Sequence, residues 1–271
     1  MYPKLLMKMV CWALPCMGIS QQNVFYPPDA RSNALGGAGV TFTDAHSALY
    51  NQAGLASVSR LSVMVSAEQK FLTGDIQSAV LAAVLPTGAG VFGMAVQYFG
   101  FQAFNEQKAG LSYARKLLDN LSIGAELCLI HGAIAGYRQK TAYTFELGLL
   151  SNISRQVALG FHVSNPLRIT WTENSYLPTV IRLGGQYQPS GKLTILGEIE
   201  KDIGYPIRTI WGLEYSPAEV LQIRLGLATA PLSPRFGLGL QLFKSLRVDM
   251  ALTYHRVLGF TPSAGFYYEK T

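Results

Sequence analysis

Cysteine is nearly absent from this 271-residue chain: there are three, and two of them, Cys11 and Cys16, fall in a leader-like N-terminus. Cys128 alone lies beyond it, so an intramolecular disulfide and zinc sites built on paired cysteines are excluded. Charge is scarce as well, at 14% of residues against about 25% in soluble domains. The formal net charge of +6 falls to +4 without Lys4 and Lys8 and is gathered in no basic block, which gives nucleic-acid binding no support. Long apolar helices are also missing. Residues 78–96 carry no charge and are long enough for a membrane helix, but Leu85-Pro86-Thr87-Gly88-Ala89-Gly90 breaks them into two runs. Each run has the length of a tilted membrane strand, about ten residues.

What is present begins with an export signal. Lys4 and Lys8 precede an apolar stretch, residues 9–19, too short to span a bilayer and followed by Ser20 and Gln21. Residues 1–20 therefore read as a cleavable signal peptide; Ala13-Leu14-Pro15 before Cys16 suits a lipoprotein poorly. From residue 60 onward one unit recurs, eight to twelve residues of period-2 alternation and then a break. It predicts strands at 61–70, 77–86, 90–99, 107–116, 121–131, 141–150, 155–164, 179–188, 192–201, 207–215, 220–228, 234–243, 246–255 and 260–268.

Alternation is clearest where Leu221, Ile223, Leu225 and Leu227 oppose Gln222, Arg224, Gly226 and Ala228. A soluble sandwich would also show one polar face, so the pattern alone leaves both architectures open. The export signal and the charge deficit favour an all-β fold, a transmembrane antiparallel barrel of about fourteen strands spanning 60–271. Tight-turn compositions such as Pro86-Thr87-Gly88-Ala89 and Lys244-Ser245 follow every second strand, as expected on the periplasmic side. The other connections are longer on average, the longest being 165–178, and should face outward.

Residues 21–59 alternate less cleanly. They include Pro28-Asp29-Ala30-Arg31-Ser32-Asn33-Ala34-Leu35-Gly36-Gly37-Ala38-Gly39, then Asp44, then Ala48-Leu49-Tyr50-Asn51-Gln52-Ala53-Gly54-Leu55. This resembles the N-terminal signature of FadL-like outer-membrane barrels, with Gln52 standing where proline is usual. The C-terminal Tyr254-His255-Arg256-Val257-Leu258-Gly259-Phe260 resembles the closing hairpin of the PorV/PorQ branch associated with type IX secretion. The resemblance covers about fifty residues. It implies fourteen strands and an N-terminal plug or hatch over 21–59, with Arg31, Gly36, Gly37, Asp44 and Asn51 at the matching positions.

Little in the chain suggests chemistry. Gly88-Ala89-Gly90-Val91-Phe92-Gly93 matches a dinucleotide fingerprint but leads into a strand rather than a helix. His46, His131, His162 and His255 stand on separate segments without metal-ligand spacing and read as loop or strand-end residues. No catalytic residue, metal or cofactor is expected. The lumen should carry Glu126, Glu146, Arg182, Glu198, Glu200, Arg208, Glu214, Arg224, Arg235, Arg247 and Asp249, either as structural ion pairs or as a polar path and hatch support. Tyr98, Phe99, Phe101, Trp211, Tyr215, Tyr254, Phe266, Tyr267 and Tyr268 suggest interfacial girdles.

The expected setting is the outer membrane of a Gram-negative bacterium, in contact with its lipid. The first functional expectation, from the resemblance, is a non-catalytic accessory of a secretion or envelope-assembly machine, with a protein of that machine as partner. The second is a hatch-gated channel for small hydrophobic molecules, and the third a lipid-modifying enzyme.

Overall fold

In the computed structural model, residues 25–72, 74, 76–136, 138–172 and 175–271 are described; the signal peptide expected over residues 1–20 lies outside them. Sixteen strands follow one another: β1 (Ser62–Gln69), β2 (Gln77–Thr87), β3 (Gly90–Phe101), β4 (Phe104–Leu118), β5 (Leu121–Ile134), β6 (Arg138–Asn152), β7 (Val157–Ser164), β8 (Thr170–Thr172), β9 (Ser175–Tyr176), β10 (Val180–Ser190), β11 (Leu193–Asp202), β12 (Arg208–Ala218), β13 (Leu221–Ala228), β14 (Ser233–Phe243), β15 (Leu246–His255) and β16 (Gly259–Glu269). All but β8 and β9 form one closed antiparallel barrel of fourteen strands. It closes where β1 pairs with β16, Ser62 opposite Glu269.

Period-2 alternation sorts the side chains as the pattern predicts. On β5, Ser122, Gly124, Glu126, Cys128 and Ile130 are buried, whereas Ile123, Leu127 and Leu129 are exposed, Leu127 by 73%. The same holds around the wall: Leu81, Phe92, Leu111, Leu147, Leu183, Trp211, Leu225 and Phe236 all stand outside. An apolar surface of this extent is stable in hydrocarbon and unsuited to water, so the barrel spans a membrane.

Three local expectations change. The connection between β3 and β4 is a two-residue turn, Phe101 opposite Phe104, because edge-to-face contacts such as Phe99 with Phe104 (6.4 Å between centroids) extend the pairing. The 165–178 connection carries its own hairpin, β8 with β9. Of the proposed girdle, Phe99 and Tyr267 face inward and are buried, because alternation from Tyr98 and Tyr268 turns their neighbours into the lumen.

Residues 25–58 pack against the inner face of the wall. Asp29 caps helix α1 (Ala30–Ala34), accepting from Arg31 N at 3.1 Å and Ser32 N at 3.2 Å. A second short helix, α2 (Ser47–Tyr50), and a 3₁₀ helix (Gln52–Ser57) follow. Small lumenal residues admit this backbone. A Cβ on Gly226 would collide with the amide of Gly36, and one on Gly124 with the backbone at Gln52 and Ala53. Leu35, Ala38, Phe42, Tyr50 and Leu55 then share one buried cluster with wall residues Val80, Ala82, Val84, Leu196 and Ile210.

Candidate functional site

Charged side chains from the wall meet the N-terminal segment in three groups. In the first, Arg31 donates to Asp44 (2.5 Å) and lies 3.4 Å from Glu214; Arg224 then bridges Glu214 (2.6 Å) and Asp249 (2.5 Å). Arg247 adds a contact to Asp249 at 3.0 Å. His46 joins the same group, its Nε2 3.1 Å from Arg247 and its Nδ1 3.1 Å from Asp29, with its ring stacked on Tyr267 at 5.6 Å. Burial pushes the Asp44 carboxyl up, but the Arg31 and Arg247 charges outweigh it and hold the group below the usual carboxylate range.

In the second group Lys108 lies 2.7 Å from Glu146 and 3.3 Å from Glu126, and His162 Nε2 is 3.2 Å from Glu146. Gln52 donates to Glu146 at 3.1 Å. Here the departure from the FadL-like signature gains a role, since a proline would offer no such donor. Glu126, Cys128 and Glu146 have ligand atoms within 4.8 Å of one another. The Lys108 ammonium already occupies the cationic position between the two carboxylates.

The third group ties backbone to wall. Glu198 accepts from the amides of Gly39 (2.6 Å) and Val40 (2.8 Å). Asn51 donates to the carbonyls of Val40 (2.7 Å) and Leu149 (2.9 Å) while accepting from Ala53 N. Beside these, Glu200 is shared by Arg182 at 2.8 Å and Arg208 at 3.3 Å. Gly36 and Gly37 take φ of +82° and +99°, the left-handed region that turns the chain after α1. Arg235 reaches Asn33 Oδ1 at 3.3 Å.

All eleven charges assigned to the lumen are thus on its inner face, and the five signature residues lie against it. Lys108, His46 and His162 were missed. The signal for Lys108 was available: it shares parity with Gly110, Ser112 and Ala114, opposite Leu111 and Tyr113. His46 and His162 gave none, because their carboxylate partners arrive from distant segments.

Among the described residues, cavities inside the barrel lie on both sides of the N-terminal segment. One of about 230 Å³ lies toward the longer connections, bounded by Tyr26, Tyr50, Phe71, Arg182, Arg208 and Arg235 among others. Another, about 90 Å³, lies toward the short turns between Asp44, Gln188, Thr194 and Glu214. Asn33 and Gly37 border the first; Arg31 and Leu35 border the second.

No protein-family model matches the chain, and a search of curated proteins finds no match. Among solved structures, the deltaS2S3 mutant of the monoaromatic hydrocarbon channel TodX superposes with a TM-score of 0.71 at 12% identity, over 90% of this chain and 99% of its own. The Ralstonia pickettii toluene transporter TbuX gives 0.69 at 13%, over 91% and 98%. A Pseudomonas aeruginosa FadL homologue gives 0.63 at 12%, over 89% and 96%. At such identities the likeness is one of fold.

Proposed function

We propose that this chain is a gated channel in the outer membrane of a Gram-negative bacterium, passing small, largely apolar molecules, with residues 25–58 as its hatch. The observation that carries the reading is that the segment separates one lumenal cavity from another, with Asn33 and Gly37 on one side and Arg31 and Leu35 on the other. Displacing that segment would join them. The proteins that share the fold include a monoaromatic hydrocarbon channel and a toluene transporter, which supports passage of such molecules here. Each barrel strand is hydrogen-bonded to two neighbours, with β6 paired to β7 over Glu146–Asn152 alone. An accessory role in secretion draws no support from the comparisons, and two of the neighbours reported above are named as a channel and a transporter.

The test is removal of residues 25–58 from the exported protein, with heat-modifiable migration as the check of folding. Conductance in planar bilayers should rise severalfold. A folded barrel with unchanged conductance would refute the hatch.

A further inference from the structure

Among the described residues, the charges around the 230 Å³ cavity do not balance. Lys70, Arg182, Arg208 and Arg235 line it, and Glu68 is the acid among these lining residues. Glu200 stands behind Arg182 and Arg208, and Asp202 lies two residues further along β11. Counting these three acids among the described residues leaves one positive charge over, at Arg235. Among the described residues no carboxylate oxygen comes within 4.0 Å of Arg235, whose Nη1 meets the neutral Asn33 and whose buried Nε has no hydrogen-bond partner. The Nε of Arg208 is likewise buried and unpartnered. A buried guanidinium without a counter-charge is costly, whereas one that meets an oxyanion forms strong, charge-assisted bonds.

These two guanidinium groups converge. A Cβ built on Gly37 would lie 3.6 Å from Arg235 Nη1 and 3.8 Å from Arg208 Nη2, so the two nitrogens are at most 7.4 Å apart. One carboxylate can bridge that gap with charge-assisted bonds of about 2.8 Å. Gly37 keeps the space between them clear. Around it the walls are aromatic: Tyr26, Tyr50 and Phe71 border the cavity, and Pro231 closes one side.

We propose that this cavity is a binding site for a small aromatic carboxylate, its anionic group held between Arg208 and Arg235 and its ring against Tyr26, Tyr50 and Phe71. The volume accommodates a single substituted ring. This deepens the channel reading and rests on it for the ligand's passage, but binding can be measured without passage.

The test is equilibrium binding to the folded, detergent-solubilised barrel, titrated separately with benzoate, toluene and inorganic phosphate. Benzoate should bind at least tenfold more tightly than either. Arg235→Gln should reduce benzoate affinity at least tenfold, and Phe71→Ala, in a connection outside the barrel wall, severalfold; both proteins should stay heat-modifiable. Equal binding of toluene would overturn the anionic half of the proposal, and equal binding of phosphate the aromatic half. Benzoate binding unaffected by Arg235→Gln would overturn the assigned position. If benzoate binds as expected while removal of residues 25–58 leaves conductance unchanged, the site stands and the channel reading fails; the converse result sinks the site alone.

Discussion

Arg224 and Leu225 are neighbours on β13 that face opposite media, and exchanging their chemistry tests the whole architecture. Arg224 has no solvent-exposed surface and holds Glu214 at 2.6 Å and Asp249 at 2.5 Å. Removing one member of a buried ion pair costs about 3–5 kcal/mol, because the remaining charge keeps its desolvation penalty. In Arg224→Met each carboxylate retains another cation, Arg31 at 3.4 Å for Glu214 and Arg247 at 3.0 Å for Asp249. The expected loss is therefore at the lower end, about 3 kcal/mol. For a barrel refolded into vesicles and unfolded in urea, with a slope near the upper end of about 1–3 kcal/mol per molar, the midpoint should fall by about 1 M. Arg224→Met combined with Asp249→Asn should recover much of that loss. Leu225→Arg, on the lipid face, should cost about 2–4 kcal/mol if it lies near the bilayer midplane. Unchanged midpoints for both single variants would refute the assignment of lumen and lipid faces.

Asp44 pairs with Arg31 inside the N-terminal segment and lies 4.0 Å from Arg247 on the wall, and its lowered pKa fixes the sign of a pH effect. Its contribution is complete above the unfolded value of 3.8 and is lost as pH falls through the lower folded value, so channel openings should increase under acid conditions. Asp44→Asn should raise the opening frequency at neutral pH and flatten the acid response; a profile identical to the parent's would refute a role for Asp44 in holding the segment. Orientation is checked by cysteine labelling of intact cells, where Leu167→Cys should react and Ala89→Cys should not. The opposite pattern would invert the topology.

The wall was legible because a strand's periodicity is local: reading Leu225 outward and Arg224 inward needs only the neighbouring residues. Strand ends were less so. The sequence around Phe101 and Phe104 carries no strong turn signal, and the pairing there depends on aromatic contacts across the hairpin. The inward position of the charges followed from parity, but their partners did not. Arg31 finds Glu214 across 183 positions and Arg247 finds His46 across 201, distances over which one sequence carries no register. Arg235 shows the limit most clearly, since its lack of a carboxylate partner depends on every other lumenal charge being placed first.

The seam between β1 and β16 has a kinetic meaning. Ser62 pairs with Glu269, so closing the wall joins residues from nearly opposite ends of the folded chain, and the loop entropy of that step comes before most of its reward. The N-terminal segment depends on the same late arrivals: Glu214, Arg224, Arg247 and Asp249 belong to strands in the final quarter of the sequence, as does the Tyr267 ring that stacks on His46. A chain lacking its last two strands would therefore expose both an open edge and a cluster of unpaired charges from its own beginning. The earliest residues of this barrel therefore depend for their partners on its latest strands.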